Sequence, residues 1–277
     1  MGEIKLIVSD LDGTLLSADH QLTEKVRMAV RRFTEAGGMF TFATGRPGLT
    51  VRTVVEALDI DLPFILCNGS VIADRERTLE MVPMKLDDLI PAMEEADREG
   101  ISVLLFEENQ ISVFRRTEDV DRFEHKEGIS CRLIDFTTEE WKSATLQKVL
   151  WIGDFQKIQP IWDAYLRKLG NQYSVFQSEI DFLEIIPENQ SKGQALKKLM
   201  NRLHLKPSQV MAIGNQLNDL DMIETAGVGV AVANSHPLLK EKADYVCLDS
   251  YGDGVVEAIH TFCLPSRQER SSGMGAG

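Results

Sequence analysis

Short apolar segments alternate with amphipathic segments at the start of the chain. In "QLTEKVRMAVRRFTEAGG", Val26, Val30 and Phe33 recur at the spacing of one helix face, and the paired glycines Gly37 and Gly38 end the pattern. Strands that alternate with helices are typical of a parallel sheet. This first block predicts strands at residues 4–8, "MFTFATGR" and "FILCNG", and helices at residues 21–38 and 49–58.

The same alternation returns after residue 190. Because both blocks have the same rhythm, they are predicted to form one α/β domain with a doubly wound, mostly parallel sheet, from residues 1–82 and 189–264. The second block predicts, in order, the helix "SKGQALKKLMNRLHL", the strand "VMAIG", a helix through Met222 and Ile223, the strand "VGVAV", a helix at 236–242, the strand "YVCL" and a helix at 253–263.

The middle of the chain has a different pattern. "SVLLF" and "ISVFR" are separated by the turn-like "EENQ", and "YSVFQ" and "DFLEII" are separated by "SEI", as in β-hairpins. Helices at about 86–99 and 155–169 accompany these strands. Residues 83–188 are therefore predicted to be an inserted α+β domain, bounded by Pro83 and "PENQS". The polar, Gly-rich and Ser-rich residues 265–277 predict a disordered tail.

Composition narrows the class of protein. The chain has 277 residues, of which 43% are hydrophobic, and no apolar run approaches the roughly 18 residues of a membrane helix. The formal charge of -13, without a basic cluster, disfavours nucleic acid and anionic lipid as partners. The four scattered cysteines predict reduced, mostly buried thiols rather than disulfides or a zinc site. Since the N-terminus has no signal-peptide pattern, a cytoplasmic location is expected.

Polar side chains follow the predicted strands of the two outer blocks. Ligands of open parallel sheets bind beyond the carboxyl ends of the strands, so these side chains are candidates for function. Carboxylates, a hydroxyl, amides and one cation together suit a metal ion and a phosphate group. The candidates are Asp10, Asp12, Thr44, Asn68 and residues 215–219, with Lys192 at the start of a predicted helix.

The doublet of Asp10 and Asp12 suits phosphoryl transfer. Two neighbouring carboxyl groups tend to have different pKa values, so one can act as a nucleophile and the other as a general acid. A divalent cation that held Asp10 as the anion would sharpen this difference, and the amides of Gly13 and Thr14 could donate to a phosphoryl oxygen. A turn that favours Asp and Gly for backbone reasons alone would have the same sequence.

The other candidates also have structural alternatives. "TGRP" is ordinary in a strand-to-helix turn. Lys192 lies where the helix dipole disfavours a cation, which indicates a nearby anion, although a solvated surface lysine would look the same. Asn218 or Asp219 could serve only to cap a helix. None of these motifs indicates a functional site by itself, and each becomes evidence for one only because the others occur in the same chain.

Taken together, the motifs resemble the haloacid dehalogenase superfamily of phosphatases, specifically its Cof-like branch of sugar-phosphate phosphatases with a C2 cap. The resemblance covers about residues 4–262. It implies a Rossmann-like core with a mobile α+β cap inserted after the third strand, which agrees with the boundaries predicted above. The motifs are "DLDGTLL" at 10–16, "TGRP" at 44–47, "LCNGS" at 66–70, "SKG" at 191–193 and "IGNQLNDLDM" at 213–222, followed by "AGVGVAV" and "DYV".

The resemblance implies a Mg²⁺-dependent phosphomonoesterase that acts on small phosphorylated metabolites. Asp10 would attack phosphorus to form an aspartyl-phosphate, while Asp12 would protonate the leaving alcohol and then activate water. Thr44 and Lys192 would hold phosphoryl oxygens, and Asn218 would contact phosphate or orient Lys192. The Mg²⁺ ligands would be the Asp10 carboxylate, the Asp12 carbonyl and the side chains of Asn215 and Asp219.

One position departs from the family pattern. The family usually has "GD" where this chain has Gly214 and Asn215, so a neutral amide oxygen replaces a carboxylate and weaker metal binding is expected. Two other functions stay open. One is a phosphomutase of the same fold, which would return the phosphoryl group to a sugar. The other is a non-catalytic phosphate-binding protein whose metal site has weakened.

Overall fold

The computed structural model describes residues 3–84, 86–138, 140–169 and 172–264. The tail predicted at 265–277 lies outside the described residues. The described chain forms two compact units, which we call the first and the second unit. The first unit takes in residues 3–44, 54–64 and 196–264, and the second takes in residues 45–53 and 65–195. The predicted inserted segment, 83–188, falls inside the second unit, and its exact boundaries stay a prediction.

The strands are short, as is usual in such sheets. They are β1 (Leu6–Ser9), β2 (Met39–Phe42), β3 (Phe64–Leu66), β4 (Val71–Ala73), β5 (Thr78–Met81), β6 (Ser102–Phe106), β7 (Ile111–Val113), β8 (Arg132–Leu133), β9 (Lys148–Ile152), β10 (Tyr173–Glu179), β11 (Phe182–Pro187), β12 (Val210–Gly214), β13 (Val228–Ala231) and β14 (Tyr245–Val246).

The helices alternate with these strands in the first unit and accompany them in the second. None of the helices in the described part of the chain is both long enough and apolar enough to cross a membrane. The helices are α1 (Glu24–Glu35), α2 (Arg52–Ala57), α3 (Ile90–Arg98), α4 (Glu118–Glu127), α5 (Phe155–Leu169), α6 (Lys192–Arg202), α7 (Leu220–Thr225), α8 (Pro237–Lys242) and α9 (Tyr251–Phe262).

A five-stranded parallel sheet is the centre of the first unit. Its strand order is β14-β13-β12-β1-β2, and every neighbouring pair is parallel. The strand β1 lies between β12 and β2 and is fully buried, as its apolar residues Leu6, Ile7 and Val8 require. The predicted α/β class with a mostly parallel sheet is therefore confirmed.

The helix α1 shows how local sequence builds this unit. The Thr23 hydroxyl accepts a hydrogen bond from the Val26 amide at 3.3 Å and caps the first turn. The predicted face of Val26, Val30 and Phe33 is buried. A β-carbon at Gly38 would lie 2.3 Å from the Phe33 ring, so glycine is required where the chain turns back toward β2.

The third predicted strand forms, but it leads into a separate sheet. The strand β3 belongs to a three-stranded sheet of order β3-β4-β5, in which β4 and β5 are antiparallel. Cys67, Asn68 and Gly69 follow β3 with φ of +48°, +51° and +101°, which are left-handed values. These three residues reverse the chain at once. The strands β4 and β5 were not predicted from the sequence.

A six-stranded sheet forms the body of the second unit. Its order is β10-β11-β9-β6-β7-β8, and its pairs are antiparallel apart from β7 with β8. The two predicted hairpins, β6 with β7 and β10 with β11, are confirmed. Val103 and Leu105 belong to a core cluster with α3 and α5, whereas Leu104 and Phe106 belong to a cluster with α4. Helices therefore cover both faces of this sheet.

Glu257, on α9, ties down the chain that follows the edge strand β14. Its carboxylate accepts hydrogen bonds from the amides of Leu248 at 2.9 Å and Asp249 at 3.0 Å, and from the Tyr245 hydroxyl at 2.7 Å. Burial raises the pKa of the Glu257 carboxyl, but the hydrogen bonds from Tyr245, Asp249 and Leu248 outweigh it and leave the pKa below its ordinary value.

We expect Glu257→Gln to lower the free energy of unfolding by about 1 kcal/mol at pH 7, because an amide cannot accept all of these hydrogen bonds. The lowered pKa means that the carboxylate stabilises the folded chain above the ordinary glutamate pKa of about 4.3, and that this stabilisation is lost as the pH falls through the folded value. Denaturant unfolding at pH 7 and pH 3 measures both effects. Glu241→Gln, on an exposed position of α8, is the control, and an equal difference at both pH values would contradict the interpretation.

Candidate active site

Three candidate side chains emerge together at the carboxyl edge of the parallel sheet. The Asp10 amide donates to the Ile213 carbonyl at 2.9 Å, which extends the pairing of β1 with β12 by one residue. The Ala43 amide donates to the Ser9 carbonyl at 2.9 Å, which brings Thr44 to the same edge. Asp10, Thr44 and Asn215 are all buried. The predicted convergence of these residues is therefore present in the first unit.

The turn after Asp10 packs closely on Asn215. Gly13 has φ of +79°, and a β-carbon there would lie 2.2 Å from Asn215 Nδ2. The Thr14 hydroxyl donates to Asn215 Oδ1 at 3.1 Å. Only glycine allows this approach, so the turn chemistry and the candidate site depend on the same residue.

Asn234 also contacts this turn, although the sequence analysis did not name it as a candidate. Its Nδ2 donates to the Gly13 carbonyl at 2.8 Å, and its Oδ1 accepts from the Tyr251 amide at 2.9 Å. Asn234 follows β13 at the carboxyl edge of the sheet. The sequence could have indicated Asn234 as a candidate, because the other candidates were chosen by the same rule, that ligands bind beyond the carboxyl ends of the strands.

Asp219 organises the loop that follows β12. Its Oδ2 accepts hydrogen bonds from the amides of Asn215 at 2.8 Å and Gln216 at 2.9 Å. A β-carbon at Gly214 would lie 2.5 Å from the Asp219 β-carbon, so the loop is tightly closed. Asp219 also precedes α7, but its side chain makes no capping hydrogen bond to that helix and instead holds the preceding loop closed. Its metal role stays a prediction. Asn218 is also buried.

Lys192 lies in the second unit and begins α6. Its side chain is only 1% exposed, which excludes the alternative of a solvated surface lysine. A buried ammonium requires acceptors or anions around it. Gly69 packs on the peptide just before it, since a β-carbon at Gly69 would lie 2.1 Å from the Ser191 carbonyl oxygen. The "CNG" turn and the start of α6 thus form one close-packed feature.

The second unit contains a buried ion pair that was not predicted from the sequence. Lys148 Nζ donates to Glu184 Oε2 at 2.8 Å and to the Gly45 carbonyl at 2.7 Å. Asn68 Nδ2 donates to the same Glu184 oxygen at 3.0 Å. Lys148 and Glu184 are 3% and 4% exposed. The pair fastens the residue that follows Thr44 to the turn that follows β3.

A sequence signal for this pair existed. Lys148 is the single charge at the start of the apolar strand β9, and Glu184 is the single charge inside the apolar strand β11. Charged residues are seldom fully buried unless they are paired, so a charge within an apolar strand indicates a buried partner. A second ion pair joins Arg46, in the loop after β2, to Glu127 at the end of α4, with Arg46 Nη1 3.2 Å from Glu127 Oε2.

A hydrogen bond joins His20 to Asp12, with His20 Nδ1 2.9 Å from Asp12 Oδ1. Both side chains are roughly one third exposed, so the pair contributes only about 0–1 kcal/mol to stability. His20 has φ of +55°, a left-handed conformation that costs a residue with a β-carbon roughly 1–2 kcal/mol. The contact therefore does not offset the backbone strain that accompanies it.

The cysteines are not part of this site. Burial raises the pKa of Cys67, Cys131, Cys247 and Cys263 to about 12, so each thiol is protonated at neutral pH. Within the described ranges all four are free thiols, and no three His, Cys, Asp or Glu side chains are grouped so as to hold a metal ion. A metal at the candidate site would therefore need amide, carbonyl or water oxygens besides carboxylates.

Comparison with known proteins assigns the chain to a family. The family model for haloacid dehalogenase-like hydrolases matches residues 7–259. The chain is 30% identical over 265 residues to 5-amino-6-(5-phospho-D-ribitylamino)uracil phosphatase YcsE of Bacillus subtilis (strain 168). This alignment covers 95% of this chain and 97% of that protein. It is 29% identical over 235 residues to an HMP-PP phosphatase of Cronobacter sakazakii, covering 83% and 84%.

The fold is also found in solved structures. The crystal structure of a haloacid dehalogenase-like hydrolase from Bacteroides thetaiotaomicron superposes with a TM-score of 0.83 at 28% identity. The match covers 94% of this chain and 99% of that protein. The similarity thus extends through both units.

The buried pair of Lys148 and Glu184 leads to a stability prediction. We expect Glu184→Gln to lower the free energy of unfolding by about 3 kcal/mol, because the Lys148 ammonium would stay buried without its counter-charge. The double variant Lys148→Met/Glu184→Leu should lose less than this, because it leaves no charge in the interior. Denaturant unfolding of the three proteins measures the difference.

Glu94→Gln, at an exposed position of α3, is the matched control and should leave stability nearly unchanged. If the double variant were as unstable as Glu184→Gln, burial of an unpaired charge would not be the cause of the loss.

Proposed function

The chain belongs to the haloacid dehalogenase-like hydrolases, as its motifs predicted, and we propose that it is a Mg²⁺-dependent phosphomonoesterase acting on small phosphorylated metabolites, among them sugar phosphates. The two relatives compared above are named phosphatases, and the chain is a hydrolase of phosphoric monoesters. The observation that supports the finer proposal is the buried Asp10 at the carboxyl end of β1, beside Thr44 and Asn215.

In the proposed reaction, an Asp10 oxygen attacks the phosphorus atom and the ester oxygen leaves with a proton from Asp12. Asp12 then takes a proton from water, which attacks the aspartyl-phosphate and releases inorganic phosphate. Splitting the reaction into two steps lets one pair of carboxyl groups serve both. Thr44 and Lys192 would hold the phosphoryl oxygens, and Asn218 would contact phosphate or orient Lys192.

The donors at this edge fit Mg²⁺. Mg²⁺ prefers hard oxygen ligands and commonly binds through one or two carboxylates together with water and phosphate oxygens. The Asp10 and Asp219 carboxylates, the Asn215 amide oxygen and the Asp12 carbonyl would hold it. When bound, the ion would neutralise charge on the transferring phosphoryl group. Asn215 supplies an oxygen but no charge.

Residues 83–188 are proposed to form the cap that selects the substrate. Every residue assigned to the chemistry lies outside this segment, which leaves it a role in access and recognition. A screen of phosphorylated metabolites for released inorganic phosphate tests the proposed function. A phosphomutase would release little phosphate, and a non-catalytic binding protein would release none.

We expect Asp10→Asn to abolish turnover and to accumulate no phosphorylated protein, because the nucleophile is lost. Asp12→Asn should reduce turnover by at least about 10²-fold, the lower end of what general acid–base groups contribute. Phosphate release and acid-quench trapping of the phosphorylated protein measure both. Asp253→Asn, a surface carboxylate paired with Lys25, is the control. Substantial turnover by Asp10→Asn would disprove the assigned nucleophile.

Asn215→Asp should tighten Mg²⁺ binding, because it restores one negative charge to the ligand set. Changes even in the groups that support metal ligands shift affinity by about 10 to 100-fold, so we expect the midpoint of activity against free Mg²⁺ to fall by at least about 10-fold. Turnover at saturating Mg²⁺ is free to rise or fall, so the midpoint is the measured quantity. A midpoint that stayed in place or rose would show that residue 215 is not a metal ligand.

A further inference from the structure

We propose that His20 is a positioning residue for Asp12: its Nδ1–H donates a hydrogen bond to Asp12 Oδ1 and holds this carboxyl group in the orientation for proton transfer. The two atoms are 2.9 Å apart. With Oδ1 held by the imidazole, the other oxygen of Asp12 carries the proton that goes to the leaving group. This inference rests on the proposed function, because it takes Asp12 as the acid–base group.

The first observation behind this proposal is the loop that holds His20. The Ser17 amide donates to the Gln21 carbonyl at 2.9 Å, and the Gln21 amide donates to the Ser17 hydroxyl at 3.2 Å. The His20 amide donates to the Ser17 carbonyl at 2.9 Å. The loop is therefore closed at its base, and it directly follows the buried Leu15 and Leu16. The closed loop therefore fixes the position of the His20 α-carbon, from which the imidazole side chain extends.

The second observation is the left-handed backbone of His20, with φ of +55°. Glycine or asparagine would adopt this conformation more readily. Glycine, however, has no side chain that could reach Asp12. Since the contact with Asp12, whose two side chains are each about one third exposed, does not offset the strain, stability does not account for a histidine here. A strained residue that touches a proposed catalytic group indicates a role in the chemistry.

The proposal predicts a dependence on the leaving group. An alkoxide is a poor leaving group and needs the proton from Asp12, whereas 4-nitrophenolate leaves with little protonation. Because kcat/KM reports the steps up to formation of the aspartyl-phosphate, a misoriented Asp12 should lower kcat/KM for a sugar phosphate more than for 4-nitrophenyl phosphate. A residue that only stabilised the loop would change both values alike.

The test compares three variants that all tolerate a left-handed backbone. His20→Asn keeps an N–H donor near the position of Nδ1, His20→Gly removes the side chain, and His20→Asp replaces the donor with an acceptor. The wild type and the variants are assayed at saturating Mg²⁺ with 4-nitrophenyl phosphate and with the sugar phosphate that the wild type hydrolyses fastest. Thermal unfolding of each variant monitors folding.

We expect His20→Gly to lower kcat/KM for the sugar phosphate by about 10-fold or more, a part of the 10²- to 10⁴-fold that acid–base groups contribute, and to change the nitrophenyl value by less than about 3-fold. His20→Asn should recover most of the loss, and His20→Asp should lose at least as much as His20→Gly. The Asn and Asp variants decide the question by themselves if the Gly variant is unstable.

Equal losses for the two esters, or equal values for His20→Asn and His20→Asp, would overturn the role of His20 while leaving the proposed function in place. A wild type that hydrolysed neither ester would overturn the proposed function, and the role of His20 with it. A thermal midpoint that fell in parallel with activity would assign His20 to the stability of the loop alone.

Discussion

The first unit depends on the parallel pairing of β1 with β12. This pairing sets Ser9 beside Ile213, and the Asp10 amide continues it by one hydrogen bond. It brings together Thr14 and Asn215, which are 201 positions apart. A shift of one residue in the register would turn the side chains to the opposite faces of the strands and separate these groups. The proposed nucleophile and the proposed metal ligand are therefore placed by a single register.

The elements with regular apolar periodicity were predictable from the sequence. The face of α1, the strands β1 and β12 and the two hairpins of the second unit all carry local patterns that survive in the structure. The helix α4 was missed because its sequence "EDVDRFEHKE" has only two buried apolar side chains, Val120 and Phe123. The strands β4 and β5 were missed because the reversal before them places two residues other than glycine, Cys67 and Asn68, in left-handed conformations besides Gly69.

The candidate site residues that directly follow a strand of the parallel sheet were predictable from the sequence. Asp10, Thr44 and Asn215 follow directly from the rule that ligands bind at the carboxyl edge. The contacts of His20 and of the Lys148–Glu184 pair were not predictable, because they depend on side chains that meet only in the folded chain. A sequence gives the position of a charge within a strand, but it does not give the partner that the charge will meet. The structure supplies these partners.

The two units differ in how many separate segments of the chain form them. The first unit is assembled from separate segments, whereas residues 65–195 of the second unit are continuous. During synthesis, β1 and β2 leave the ribosome long before β12, and contacts between distant residues form slowly. The second unit is therefore synthesised while β1 still lacks its neighbour β12. A substitution that delays the second unit would lengthen this exposure and promote aggregation of the nascent chain, without altering the finished protein.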